Sequence, residues 1–204
     1  MSMPVDLGAS AEAIIAKYPQ PRSAVMPLLY LAMRHEGSLT PDGMRWVAEY
    51  TGLTPVQVES VASFYSMYKR EPVGDYIVSV CTSISCHLLG GDDVLDAMVD
   101  ETGVAVGETG ADRLISIEGV ECLGACGGAP AVQVNYELVE GVTPEAGRRL
   151  CRWLTGDRPG VITSDHMQAE FGGARSFDWG PEELEGATGP VPAFGRLGTT
   201  GRRS

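Results

Sequence analysis

Four of the five cysteines stand in two closely spaced pairs. Cys81 and Cys86 form a C-x4-C pair, and Cys122 and Cys126 form a C-x3-C pair further along the chain. Without a secretory signal, clustered thiols are more often metal ligands or redox groups than structural disulfides. Four thiolates can hold a [2Fe–2S] cluster or one tetrahedral Zn²⁺, and their spacing alone does not decide between the two.

Glycines surround both cysteine pairs. Gly90 and Gly91 follow the first pair, whereas Gly124, Gly127 and Gly128 flank the second. Glycine allows backbone N–H groups to approach the sulfurs closely, and such donors stabilise an anionic cluster and help to set its potential. The same glycines could merely make tight turns. The residues therefore favour iron–sulfur over zinc and leave both open.

The elements that must position the cysteines are β-rich runs alternating with a helix. Each pair follows such a run, so we expect both pairs on loops where two strands end. A helical pattern lies between the runs, two further short strands follow the second pair, and Thr143-Pro144 begins a last helix. The runs are 76–80 and 114–120, the helix is 92–102, and the further strands are 132–136 and 137–142. This order predicts a compact α/β or α+β domain.

The first 71 residues have a helical pattern throughout. The segments 11–18 and 23–36 have helical spacing, and Thr40-Pro41 and Thr54-Pro55 each place an N-cap residue before a proline at the first helical position. Gln57 completes a capping box with Thr54. We therefore predict a small helical bundle over residues 1–71, followed by the cysteine-bearing domain over 72–155.

Charge separates these parts as well. The chain has 27 acidic and 15 basic residues, a net charge of −12, and the segment 72–147 contains a single basic residue, Arg113. This balance argues against binding to nucleic acid and to an anionic membrane surface. No apolar run approaches the ~20 residues of a membrane span, and residues 1–10 do not resemble a secretory signal. We expect no direct insertion into a membrane.

The final segment, residues 156–204, is rich in glycine and proline, and we expect it to be an irregular extension. It nevertheless contains Phe171, Phe177, Trp179 and Phe194, whereas solvated tails usually lack aromatic residues. We expect an arm that orders against a partner; a linker-like tail without a role is the alternative.

The sequence around the cysteines resembles a known family. The stretches V-C-T-S-I-S-C over 80–86 and V-E-C-L-G-A-C-G-G-A-P over 120–130 are similar to the thioredoxin-like [2Fe–2S] subunit of NADH:quinone oxidoreductase, respiratory complex I. The segments V-A-S-F-Y-S-M-Y over 61–68, P-V-G over 72–74, G-E-T over 107–109 and 138–145 resemble it too. The resemblance covers roughly residues 15–155.

This resemblance implies a helical N-terminal domain, a thioredoxin-like cluster domain and one [2Fe–2S] centre on Cys81, Cys86, Cys122 and Cys126. It implies one-electron transfer within a proton-translocating complex, next to the FMN of an NADH-oxidising partner subunit. FMN and NADH are expected on that partner, with no catalytic site in this chain. The resemblance further implies contacts with other peripheral-arm subunits, and a cytoplasmic location at the inner face of the bacterial plasma membrane.

Several alternatives and departures accompany this interpretation. The same subunit could serve an NAD-linked soluble hydrogenase or formate dehydrogenase, and a zinc-stabilised interaction module would keep the cysteines without redox chemistry. The C-x-x-C of a dithiol enzyme is absent, and Gly128 stands where we expect a hydroxyl-bearing residue. His87 is expected at the surface beside the site, and Cys151 is expected to be a buried, small apolar residue of the last helix.

Overall fold

A computed structural model of the chain describes residues 5–176 and 186–190. These residues fall into two compact units, one ending at Pro72 and the other beginning at Val73. The first unit contains four α-helices, namely α1 (Val5–Ile15), α2 (Val25–Glu36), α3 (Pro41–Thr51) and α4 (Pro55–Phe64). The second contains a four-stranded sheet with four more helices. The predicted fold class, a helical N-terminal region followed by a mixed α/β domain, is confirmed.

The two Thr-Pro pairs begin helices as predicted. The Thr40 side chain accepts a hydrogen bond from the Gly43 backbone N–H, and Thr54 forms a full capping box with Gln57. The first helix differs from its prediction over 11–18, because it begins at Val5 and ends at Ile15. Since Pro19 follows Tyr18, helical backbone is disfavoured at Tyr18, and the chain turns there.

The second unit is built on strands β1 (Tyr76–Cys81), β2 (Ile115–Val120), β3 (Ala131–Val134) and β4 (Glu137–Glu140). Their order in the sheet is β2-β1-β3-β4, with β1 and β2 parallel and the remaining pairs antiparallel. The helices are α5 (Ile84–Leu88), α6 (Gly91–Thr102), α7 (Pro144–Gly156) and α8 (Ser164–Phe171). None of the helices in the described ranges is long and apolar enough to cross a membrane.

The two faces of the sheet have different roles. Tyr76, Val78 and Val80 of β1 belong to the main hydrophobic core, together with side chains of β2, β3, β4 and the helices α6, α7 and α8. Because side chains alternate along a strand, Cys81 lies on the opposite face. There it packs with Cys86, Ala125 and Ala131 in a second, smaller cluster. The sheet therefore separates the main core from Cys81 and Cys86.

The third strand ends earlier than its pattern predicted. Asn135 and Tyr136 have φ angles of 49° and 72° and connect β3 to β4, as in the two-residue hairpin turns that match the twist of a sheet. The Asn135 side chain accepts a hydrogen bond from the Ile77 N–H at 2.8 Å and donates one to the Asp75 carbonyl at 2.9 Å. It therefore ties the hairpin to the start of β1.

The segment after Gly156 contains regular structure that its glycine and proline content did not predict. Helix α8 buries Met167 and Phe171 in the main core, and Ile162 forms a two-way backbone bridge with Ala187. Phe177, Trp179 and Phe194 lie outside the described residues. A separate extension stays a prediction for residues 177–185 and 191–204.

Replacing Asn135 tests how strongly the hairpin depends on its side chain. We expect Asn135→Ala to lower the free energy of unfolding by about 2–4 kcal/mol, because it removes two hydrogen bonds and leaves the buried Ile77 N–H without its acceptor. Urea denaturation followed by circular dichroism measures this. Asn135→Gly is the control for the positive φ, and it should recover only part of the loss. A change below about 0.5 kcal/mol in both variants would contradict this role.

Candidate iron–sulfur centre

The parallel pairing of β1 and β2 brings the two cysteine loops to one edge of the sheet. Cys81 is the last residue of β1 and stands opposite Val120, the last residue of β2, and Cys122 follows only two residues later. The Thr82 N–H donates to the Val120 carbonyl at 2.8 Å, which continues the ladder beyond the strands. Both loops therefore leave the sheet at the same place.

The first cysteine pair is buried. Cys81 and Cys86 are 3% and 2% exposed, and the Cys81 thiol donates to the Glu121 carbonyl at 3.4 Å. The pKa of the Cys86 thiol is raised to about 11, chiefly by burial; the Ala131 backbone opposes this rise, and the neighbouring Cys81 and Cys126 add to it. Cys81 and Cys126 thus both lie near the Cys86 thiol.

The second cysteine pair is exposed on its loop. Cys122 and Cys126 both lie at the surface, and the Gly124 N–H donates to the Cys122 sulfur at 3.4 Å. Cys126 begins a short 3-10 helix, Cys126–Gly128, in which Gly128 is buried. No group of three or more His, Cys, Asp or Glu side chains within the described ranges is placed to hold a metal ion.

The expectation that both pairs lie on loops is only partly right. Cys86 lies within helix α5, and Cys126 lies in the 3-10 helix. The pattern missed α5 because a helix of five residues has too few positions to show a helical period. Helix α6 begins directly after this turn, and Gly91, its first residue, lies against the carbonyls of Cys81 and Cys86. A Cβ at Gly91 would stand 2.9 Å from each carbonyl oxygen.

The donor set suits an iron–sulfur cluster. Both cysteine pairs follow strands that end at the same edge of the sheet, and the Gly124 backbone N–H donates to the Cys122 sulfur. Thiolates are the ligands of [2Fe–2S] clusters, and hydrogen bonds to sulfur help to set their potentials. The chemistry of the four cysteines therefore fits such a cluster, although their side chains are not gathered around one position within the described ranges: one pair is buried and the other is exposed.

The remaining candidate residues lie where the sequence predicted. His87 is at the surface, where its Nδ1 lies 2.6 Å from Asp92 Oδ2. Cys151 is fully buried in the main core, and burial, with a further contribution from Glu101, raises the pKa of its thiol to about 12. Cys151 is therefore separate from the site.

Sequence reasoning missed the residues that support the second cysteine loop. Glu140 is 7% exposed, and its Oε1 would stand 2.5 Å from a Cβ at Gly128. The space that a side chain at position 128 would need is thus occupied by the Glu140 carboxylate. Strand alternation could have placed Glu140 on the face of Cys81, but no local signal in the sequence links it to Gly128.

Comparison with known proteins identifies relatives of the chain. The family model for the thioredoxin-like [2Fe-2S] ferredoxin matches residues 11–154. An NADH-quinone oxidoreductase subunit from Mycobacterium tuberculosis H37Rv is 43% identical over 157 residues, which are 77% of this chain and 62% of that protein. An NADH-quinone oxidoreductase subunit from Thermus thermophilus is 42% identical over 152 residues, 73% of this chain and 82% of that protein.

A solved structure supports the fold. An NAD+-reducing [NiFe]-hydrogenase in its air-oxidised state superposes with a TM-score of 0.57 at 18% identity, over 65% of this chain and 23% of the hydrogenase chain. At this identity the likeness concerns the fold alone. The chain spans about three fifths of the length of the mycobacterial relatives that it matches.

Thiol labelling of the cluster-free protein tests the difference in burial between the two pairs. With a maleimide in native buffer, we expect Cys122 and Cys126 to react first, Cys81 and Cys86 at least about tenfold more slowly, and Cys151 only after unfolding, because the fold shields buried thiols from the reagent. Peptide mass spectrometry of quenched samples measures the order. Equal rates at Cys86 and Cys122 would contradict the described burial.

Proposed function

Because the chain belongs to the thioredoxin-like [2Fe-2S] ferredoxin family, we propose that it is the electron-transfer subunit of an NADH:quinone oxidoreductase, respiratory complex I. The observation that carries this proposal is the match of 42–43% identity to subunits of that enzyme. It is supported by the two cysteine-bearing segments that follow β1 and β2 at one edge of the sheet. Quinone chemistry and proton translocation would belong to other subunits of the complex.

We propose Cys81, Cys86, Cys122 and Cys126 as the four ligands of one [2Fe–2S] cluster. When bound, such a cluster supplies one-electron transfer. The chain itself would contribute four thiolates, the backbone donor at Gly124, and a buried setting for the first pair. The acidic residues of 72–147 would disfavour added negative charge, an effect that salt screens over about 8 Å.

The partner that donates electrons would be the flavin-bearing, NADH-oxidising subunit. FMN and NADH would be held there, since this chain lacks a dinucleotide-binding glycine fingerprint after a strand. Three exposed apolar side chains flank Cys86, namely Ile84, Leu88 and Leu89, which are 71%, 73% and 62% exposed. Electron transfer requires a close approach to the cluster, so we place the docking surface on these residues. We name them the α5 patch.

The main alternative to complex I is that the chain serves a different NAD-linked enzyme complex. The structural likeness to an NAD+-reducing [NiFe]-hydrogenase fits an equivalent subunit in an NAD-linked soluble hydrogenase. An NAD-linked formate dehydrogenase could use the same kind of electron-transfer subunit. The subunits that co-purify with the chain distinguish these assemblies: membrane subunits of a proton pump favour complex I, whereas a nickel or molybdenum subunit favours the alternatives. Stoichiometric zinc with no iron would instead indicate an interaction module.

The chain would be a peripheral subunit made of several segments. Within complex I the chain would be attached, through other peripheral-arm subunits, to the inner face of the bacterial plasma membrane. We propose residues 1–71 as a helical domain, 72–155 as the cluster domain and 156–204 as an extension whose first part, with α8, packs into the core of the cluster domain and whose end contacts a partner. Removing residues 177–204 and measuring assembly of the complex tests the role of the extension.

Anaerobic purification tests the ligand set. We expect a reddish-brown protein with about two irons per chain that gives an EPR signal on reduction with dithionite. Cys122→Ala should abolish the signal, because it removes a ligand. Cys151→Ala is the matched control: it changes the one cysteine outside the two pairs and should leave the signal intact. A colourless wild-type protein that stays colourless after reconstitution with iron and sulfide would overturn the proposal.

Changing the α5 patch tests the docking surface. We expect Leu88→Glu to weaken association with the flavin-bearing subunit about tenfold or more, because a charge would replace an apolar contact near the centre of the interface. Affinity measured by biolayer interferometry with the purified partner gives the ratio.

The control for the α5 patch is Val161→Glu. Val161 is 53% exposed and lies beyond Pro159, whose carbonyl accepts a hydrogen bond from the hydroxyl of Tyr76, the first residue of β1. It is thus at the edge of the sheet opposite the cysteines, and Val161→Glu should bind normally. Equal affinities for both variants would place the docking surface elsewhere.

A further inference from the structure

The chain returns to the cysteine loops after helix α8. Residues 172–176, which we name the strap, run from the end of α8 to the second cysteine loop. A Cβ at Gly127 would stand 3.2 Å from the Ser176 hydroxyl, and one at Gly128 would stand 2.8 Å from the Ala174 carbonyl oxygen. The strap therefore lies directly against the two residues that follow Cys126.

Glu140 connects the strap to both cysteine loops. It pairs with Ala131 across strands β4 and β3, and Ala131 packs with Cys81 and Cys86. The Glu140 carboxylate also fills the space beside Gly128. Glu140 therefore lies beside Ala131, which packs on the first cysteine pair, and beside Gly128 of the second cysteine loop.

Ser176 holds this carboxylate from the strap. Its backbone N–H and its hydroxyl both donate to Glu140 Oε1, at 3.1 and 2.5 Å. A buried carboxylate needs such donors, because removing it from water is costly unless it is hydrogen-bonded. Hydrogen bonds to a charged acceptor are also the stronger class. The pair of bonds therefore fastens the end of the strap at the site.

The other end of the strap is fixed by hydrogen bonds to the backbone of Glu140. The side-chain amide of Gln168 in α8 accepts from the Glu140 N–H at 2.9 Å and donates to the Glu140 carbonyl at 3.1 Å. The Gly173 N–H donates to the same carbonyl at 2.8 Å. A Cβ at Gly173 would stand 2.7 Å from the Gly141 carbonyl oxygen, so the two backbones are in contact. Glycine here serves close packing.

We propose that the strap is a positioning device for the cluster site, in which Ser176 and Glu140 hold the second cysteine loop in place. The inference rests on the proposed function, in which Cys126 is a cluster ligand. The strap limits how far the Cys126 loop moves away from the buried pair, and so slows loss of the cluster. Neither Ser176 nor Glu140 is a ligand, and neither is needed for the cluster to assemble.

Release of the cluster from the full-length protein tests the proposal. With excess EDTA under anaerobic conditions, followed by visible absorption, we expect Ser176→Ala to lose its cluster about tenfold faster than wild type, the effect of losing a hydrogen bond to a charged acceptor. Iron content after reconstitution should be unchanged. Ser176→Thr keeps the hydroxyl and should restore the slow release.

Ser164→Ala is the matched control. The Ser164 hydroxyl donates to Glu137 Oε2 at 2.8 Å and accepts from the Leu138 N–H at 2.9 Å, so it is also a serine–glutamate pair between β4 and the segment after α7. Glu137 is at the other end of β4, away from the cysteines. Ser164→Ala should cost comparable stability and leave cluster release at the wild-type rate. If cluster release became equally faster in both variants, the cause would be a general loss of stability, and the proposed role of the strap would be wrong.

A readout in the cluster-free protein separates failure of this inference from failure of the proposed function. Hydrogen exchange of the peptide spanning 122–130 should become faster in Ser176→Ala and stay at the wild-type rate in Ser164→Ala. If the wild-type protein takes up no cluster, the proposed function fails, and exchange still decides whether the strap holds this loop. Unchanged exchange in Ser176→Ala, with a cluster present and released at the wild-type rate, would refute the proposal.

Discussion

The parallel pairing of β1 with β2 is the constraint on which the site depends. Six consecutive residue pairs, from Tyr76 with Ile115 to Cys81 with Val120, fix the register of the two strands. Because both strands run in the same direction, both cysteine-bearing segments leave the sheet at one edge. Shifting the register by one residue would turn Cys81 towards the main core. The hydrophobic alternation that buries Val78 and Val80 therefore also determines where the thiols lie.

The hairpin of β3 and β4 completes this arrangement from the other side. Antiparallel pairing brings the start of β3 and the end of β4 to the cysteine edge, so that Ala131 and Glu140 stand beside the loops. The Asn135 side chain anchors the opposite end of the hairpin to β1. Thus the residues that keep the hairpin in register lie at one edge of the sheet, and those that adjoin the thiols lie at the other.

Much of the fold could be predicted from the sequence because its signals are local. Thr54 and Gln57 identify a helix start, and the alternation of Val132 and Val134 identifies a strand. The order of elements was sufficient for a mixed α/β or α+β class, whereas the thioredoxin-like fold was implied by the family resemblance. The contact of Ser176 with Glu140 spans 36 residues and depends on the packing of α8, which no local pattern encodes. Glycine content suggested irregular structure where Gly173 instead permits two backbones to touch.

Gly91 shows how such packing restricts evolution of the chain. Its backbone lies against the carbonyls of both buried cysteines, so that even alanine would push α6 away from the turn that carries Cys86. Position 91 therefore admits one residue type for a reason unrelated to thiol chemistry. Because this contact involves backbone oxygens and not sulfurs, a homologue that had lost its cysteines would still need glycine at position 91 to keep the same shape of the first loop.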